Sequence, residues 1–212
     1  YVFTDPPFGD NFPYWELSFV AESCYSVRTA FLREASVDRG KADSSCQKSL
    51  RDYQTLIGEV FTEYFRVLKP GRWMTVVFSN SKNSVWRAIQ EAIAGAGFVV
   101  ADVRTLDKQT GSFKQVANNA VKQDLVISAY KPSSILERAV TVDSSDVGSA
   151  WRFVSEHLLN VPVAVDSAGA LEVVVERTPQ MLHDRMVGFF VQRGLAVPLS
   201  TIAATISSAM PV

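Results

Sequence analysis

Tyr1-Val2-Phe3-Thr4-Asp5-Pro6-Pro7-Phe8 is an apolar run stopped by an acid, two prolines and an aromatic ring. The first four residues read as a short buried β-strand, and neither proline has an N–H with which to continue a ladder. The strand therefore ends by projecting a carboxylate, rigid backbone carbonyls and a ring from the C-terminal edge of a sheet. In open α/β folds that edge is where ligands bind. Such a set suits a flat heterocycle carrying an amino group: the carboxylate and a carbonyl accept its two N–H bonds, and the ring stacks on its face. The competing reading is a plain turn, since Asp and Pro are ordinary turn residues. The surroundings of the tetrapeptide have to decide between them.

An aromatic, turn-rich loop from Gly9 to Trp15 follows, and then a helix from about Glu16 to Glu34 with apolar positions at Leu17, Val20, Ala21, Cys24 and Phe31. Residues Ser36 to Ser49 are polar and read as an exposed loop or linker. Leu50, Tyr53, Leu56, Ile57, Val60, Phe61, Tyr64 and Phe65 recur at helical spacing and define one apolar face. Leu68-Lys69-Pro70-Gly71 ends that helix. Strands at Trp73–Phe78, Phe98–Val103 and Asp124–Tyr130, with a helix at Val85–Ala96 and a polar loop from Asp107 to Gln123, complete the pattern. This alternation predicts an α/β fold with a parallel sheet and an antiparallel final pair. Pro132-Ser133-Ser134 marks a boundary between residues 1–132 and a mainly helical segment, 133–212. In that segment Val147–Leu159 reads as a helix, Val163–Val165 as extended, and Thr178-Pro179 as the start of a helix reaching Gly194.

The chain has 212 residues, enough for one sizeable core, and a net charge of −1, so either any nucleic-acid contact is local to one face or the main basic surface lies elsewhere. Cys24 and Cys46 are too few and too irregular for a zinc site or a disulfide framework. His157 and His183 lack partners at metal spacing and read as structural, so no metal is expected. No stretch has the length of a membrane span and no signal peptide opens the chain, which points to the cytoplasm and no membrane partner. Tyr1 already lies inside a strand with no initiator Met, so the chain reads as a fragment of something longer.

Asp5-Pro6-Pro7-Phe8 after a strand, followed by Arg66-Val67-Leu68-Lys69-Pro70-Gly71 between a helix and the next strand, resembles the S-adenosylmethionine-dependent methyltransferases. The Asp-Pro-Pro-aromatic form is similar to the amino-group DNA methyltransferases, which methylate adenine N6 or cytosine N4. Gly9-Asp10-Asn11, Tyr14, Glu16-Leu17-Ser18 and Lys122 to Pro132 resemble a bacterial group of large site-specific DNA methylases of restriction–modification type, over about residues 1–132. The resemblance implies a Rossmann-like sheet of seven strands with the last inserted antiparallel, of which Tyr1–Thr4, Trp73–Phe78, Phe98–Val103 and Leu125–Tyr130 would be the fourth to seventh. It implies DNA as partner and S-adenosyl-L-methionine as cofactor.

On that resemblance the catalytic residues are Asp5, Pro6, Pro7 and Phe8, with Asp5 and Phe8 also touching the cofactor. From the residues themselves, Asn11, Tyr14 and Trp15 are candidates to line the base pocket or order the loop over it, against ordinary loop packing. Lys108, Lys114 and Lys122 are candidates to contact phosphates, against a solvated charged loop, with Phe113, Asn118 and Asn119 beside them suited to edge contacts. The sequence departs from the family in one respect: no Gly-x-Gly turn follows a strand, and no acid ends a second strand to hold the cofactor ribose. A further part of the polypeptide or a partner subunit is therefore expected to supply the cofactor motif. Two alternatives stay open: an inactive methyltransferase-like module that binds nucleic acid or scaffolds a complex, and an RNA or protein amino methyltransferase, against which the acid at position 5 speaks.

Overall fold

The computed structural model of the protein describes residues 1–9, 14–30, 33–37, 48–79, 83–107, 123–142, 147–167 and 170–197. In chain order the elements are β1 (Val2–Thr4), α1 (Tyr14–Cys24), α2 (Leu50–Val67), β2 (Trp73–Phe78), α3 (Asn83–Gly95), β3 (Val99–Asp107), β4 (Gln123–Tyr130), α4 (Ser134–Val142), α5 (Val147–Asn160), the hairpin β5 (Ala164–Ser167) and β6 (Ala170–Val173), and α6 (Pro179–Gln192). The main sheet has the order β1-β2-β4-β3 among the described strands. β1 and β2 are parallel, whereas β4 runs antiparallel to both β2 and β3. The expected antiparallel last strand is thus inserted between its two predecessors, in a mixed sheet compatible with a methyltransferase fold.

Helix α2 forms where the apolar spacing placed it. Ser49 and Asp52 make a reciprocal capping box at its start, and Tyr53, Ile57 and Phe61 lie buried on one face. Its last carbonyls, which have no partner within the helix, are taken by Lys131 Nζ, which donates to Phe65 O at 2.6 Å and Leu68 O at 2.9 Å. Gly71 then turns the chain at φ +69°, a conformation that costs a glycine little. One core unites α2 and α3 with Met74, Val76, Phe78, Ile127 and Ala129 on the first face of the sheet. A second core on the other face joins Val99, Ala101 and Tyr130 to α4, α5 and α6. Thr178 caps α6, its hydroxyl accepting from Met181 N–H at 3.4 Å with Pro179 in the first turn.

Three expectations are corrected. β1 is not buried on both faces: it pairs with β2 alone among the described strands, and Phe3 stays 65 % exposed. α1 ends at Cys24 rather than near Glu34, because Ser26 adopts a left-handed φ of 53° and Val27 N–H reaches back to Glu22 O at 3.2 Å. This is a helix stop of the Schellman type, with serine where glycine is usual. Leu17 and Val20 are therefore exposed, and Cys24 with them. The polar stretch after Glu34 is not uniformly exposed either, since Ser36 and Lys48 are buried; residues 38–47, Cys46 among them, lie outside the described residues. The sequence reading also missed α4. No described helix is long and apolar enough to cross a membrane.

His157 is fully buried in the second core, with its ring parallel to Phe153 at 5.7 Å and its Nδ1 3.1 Å from Tyr130 Oη. Its Nε2 has no hydrogen-bond partner among the described residues. Burial first, and then the nearby Arg185 and Arg177 charges, push its pKa down from 6.5 to about 4. The unfolded chain takes up a proton near the ordinary value while the folded chain does not, so the stability is complete above pH 6.5 and drains as pH falls toward 4. Between pH 6.5 and 5, where carboxylates are still ionised, the loss should approach roughly 2 kcal/mol. Urea denaturation at the two pH values tests this; equal stabilities, or the same slope in His157→Gln, would contradict it.

Candidate active site

The tetrapeptide leaves the sheet at the C-terminal end of β1, beside the Val76–Phe78 end of β2. Asp5 is exposed, Pro6 buried, and Pro7 and Phe8 half-buried. The Phe8 ring meets Phe78 edge-on at 5.2 Å, and Phe78 meets Trp86 edge-on at 4.9 Å, so an aromatic chain ties the turn to α3. Tyr53 Oη donates to Pro7 O at 2.8 Å from the buried face of α2. Gly9 follows at φ 80°, with its carbonyl accepting Val37 N–H at 3.1 Å. The turn is thus held at its base by α2 and β2 while the carboxylate faces outward.

Helix α1 brings Tyr14 to the same place, with Trp15 next to it in the chain. Burial raises the pKa of the Tyr14 phenol, a hydrogen bond with the Phe8 backbone works against this, and the Asp5 and Glu34 carboxylates raise it further. Tyr14 therefore stands within electrostatic reach of Asp5. Burial, with a smaller contribution from Tyr14, drives the Tyr53 phenol well above the ordinary tyrosine range. Both tyrosines are consequently neutral hydrogen-bonding groups at physiological pH. Trp15 N–H donates to Glu34 Oε1 at 3.0 Å, and Glu34 Oε2 lies 3.7 Å from Lys48 Nζ, the two side chains only 6 % and 4 % exposed. Lys48 Nζ also donates to Glu34 O and Ser36 Oγ, each at 2.9 Å. A cavity of about 440 Å³ opens at Trp15, Arg28, Thr29 and Ala30.

The structure therefore brings Tyr14 against the Asp5, Pro6, Pro7 and Phe8 turn, whereas Trp15 is placed by Glu34 and lines the cavity with Arg28, Thr29 and Ala30. Asn11 and the loop residues Lys108, Phe113, Lys114, Asn118, Asn119 and Lys122 lie outside the described residues. Three residues of this neighbourhood were not singled out from the sequence. Tyr53 counted only as part of an apolar face, although its hydroxyl was the available clue; Glu34 counted only as the end of the expected helix, and Lys48 as one charge in a polar stretch. A larger cavity, about 510 Å³, is lined by Phe65, Pro70, Gly97, Lys131, Glu137 and Arg193. It sits at the opposite end of the strands, where β2 and β3 begin and β4 ends, and is remote from Asp5. No cluster of His, Cys, Asp and Glu suited to a metal occurs among the described residues.

Residues 1–161 match the profile of the DNA methylase family of N6/N4 methyltransferases. The chain belongs to that family. The match runs from β1 through α4 and α5, so it extends beyond the Pro132 boundary. A comparison with curated proteins and with solved structures gives no match. DNA is the substrate class of this methylase family. Gly9, next to the turn, has its carbonyl engaged by Val37 and does not belong to a glycine-pair turn of the kind that holds a donor's nucleoside.

Proposed function

We propose that this methylase transfers a methyl group from S-adenosyl-L-methionine to the exocyclic amino group of a flipped DNA base, adenine N6. Residues 1–132 are then the catalytic half of a Rossmann-like methyltransferase sheet, and 133–212 an appended segment. The observation that carries this reading is the exposed Asp5 carboxylate at the C-terminal end of β1, on a turn whose Pro7 carbonyl is tied by Tyr53. A duplex base has to leave the stack before its amino group can be reached. The amino lone pair is delocalised into the ring. Hydrogen bonds from its two N–H groups to Asp5 and to the Pro6 carbonyl favour a more tetrahedral, more nucleophilic nitrogen. They also stabilise the positive charge that develops there. Phe8 stacks on the base, and Asn11, Tyr14 and Trp15 line the pocket, holding the nitrogen in attack geometry. When bound, the donor would supply an electrophilic methyl group on a sulfonium that departs as the neutral thioether; Asp5 and Phe8 would meet its reactive end, and the glycine turn and ribose-binding acid that hold it would come from a further part of the polypeptide or a partner subunit.

The acid at position 5 favours adenine over cytosine. The direct test is to incubate the full-length protein with isotopically labelled donor and duplex DNA, digest to nucleosides and identify the labelled species by mass spectrometry. N6-methyladenine is the expected product. Label on cytosine would reassign the base, and label on neither would overturn the enzymatic reading in favour of a binding or scaffolding module.

A further inference from the structure

We infer that Tyr53 is a positioning residue for the Asp5–Phe8 turn: together with Tyr14 it grips the single peptide unit between Pro7 and Phe8 from both sides. Its catalytic consequence rests on the proposed amino-group chemistry of that turn. The Pro7 carbonyl and the Phe8 N–H lie in one rigid plane. Tyr53 donates to the carbonyl at 2.8 Å, and the Phe8 backbone hydrogen-bonds the Tyr14 phenol. That second bond lowers the phenol pKa, as an N–H donor does and a carbonyl would not.

The grip reaches further than one peptide. Each proline ring already sets its own φ near −65°, so the soft torsions left in the turn are the proline ψ angles and the torsions of Phe8. Fixing the Pro7–Phe8 plane sets ψ of Pro7. With φ of Pro7 set by its ring, the preceding peptide plane, which carries the Pro6 carbonyl, is oriented too. The hydroxyl of one tyrosine thereby aims the carbonyl assigned to the amino group and the Cα–Cβ direction of Phe8. Tyr53 is suited to this because it is fully buried on α2, beside Ile57 and Phe61 of the same core. Apolar packing alone would be met by phenylalanine; the hydroxyl is what the turn requires.

The test is Tyr53→Phe in the full-length protein, read in two ways. Amide hydrogen exchange should show the Phe8 N–H released about tenfold while the α2 amides keep their protection. In methyl-transfer assays kcat should fall about tenfold with KM for DNA within about twofold. Ile57→Val, on the same helix face, should lower the melting temperature and leave both readouts unchanged. Unchanged Phe8 exchange, an unchanged kcat against an active wild type, or an Ile57→Val that reproduces both effects would overturn the positioning role. A wild type that transfers no methyl group, with Phe8 still released by Tyr53→Phe, would overturn the proposed function and leave the grip standing.

Discussion

Asp5→Ala should lower methyl transfer by about 10²–10³-fold or more, the range seen when one preorganised group facing a developing charge is removed. Its stability should change by less than about 1 kcal/mol, because the residue is exposed and a polar contact is worth little there. The two effects separate because Asp5 stands at the edge of the sheet while the turn is held from beneath by Tyr53, Phe78 and the proline rings. Asp5→Asn keeps one acceptor oxygen but loses the charge, so it should fall between Ala and the wild type. An independent readout exists: Asp5 helps raise the Tyr14 pKa, so the tyrosine titration of Asp5→Ala should include a phenol that ionises at lower pH. Activity of Asp5→Ala within threefold of wild type would remove Asp5 from the reaction, and with it the proposed chemistry.

Lys48→Met should destabilise the protein by about 3–5 kcal/mol, the usual consequence of removing one partner of a buried ion pair. Lys48 and Glu34 are both nearly inaccessible, and Lys48 binds the backbone of Glu34 and the hydroxyl of Ser36 as well. Methionine fills much of the same volume, which leaves the lost charge as the main change. Glu34 anchors the start of α1 through Trp15 N–H, and α1 buries none of its own residues. Weakening the pair should therefore also loosen Tyr14 and Trp15 over the turn. The double variant Lys48→Met/Glu34→Leu should recover much of the stability, since an apolar pair of similar volume often replaces a buried ion pair without loss. Urea unfolding of the three proteins decides the matter; a loss below 1 kcal/mol in Lys48→Met would show the pair to be energetically neutral.

Legibility from sequence followed the range of the interactions concerned. α2, α3, α6 and the strands β2, β3 and β4 were readable because apolar spacing, Pro-Gly punctuation and the Thr178-Pro179 start are local signals. α1 was overrun by ten residues because its stop depends on a serine in a glycine-like conformation, which composition does not announce. Lys48 looked like one more charge in a polar stretch, and only the return of the chain to Glu34 makes it buried. In the same way Tyr130 and His157, 27 residues apart, become hydrogen-bonded neighbours only when α5 packs on the sheet.

By itself, the sequence determined that a strand ends in an acid, two prolines and an aromatic ring, and that alternating strands and helices follow. Those are consequences of proline stereochemistry and apolar periodicity, which act over a few residues. The tertiary structure alone decided which way the turn faces and what holds it: Tyr53 from 46 positions away on Pro7, and Glu34 from 19 positions away on Trp15. Hydrogen bonds of that separation form only after the hydrophobic cores have brought α2 and α1 to the end of β1, because each costs more chain entropy to close than it returns alone.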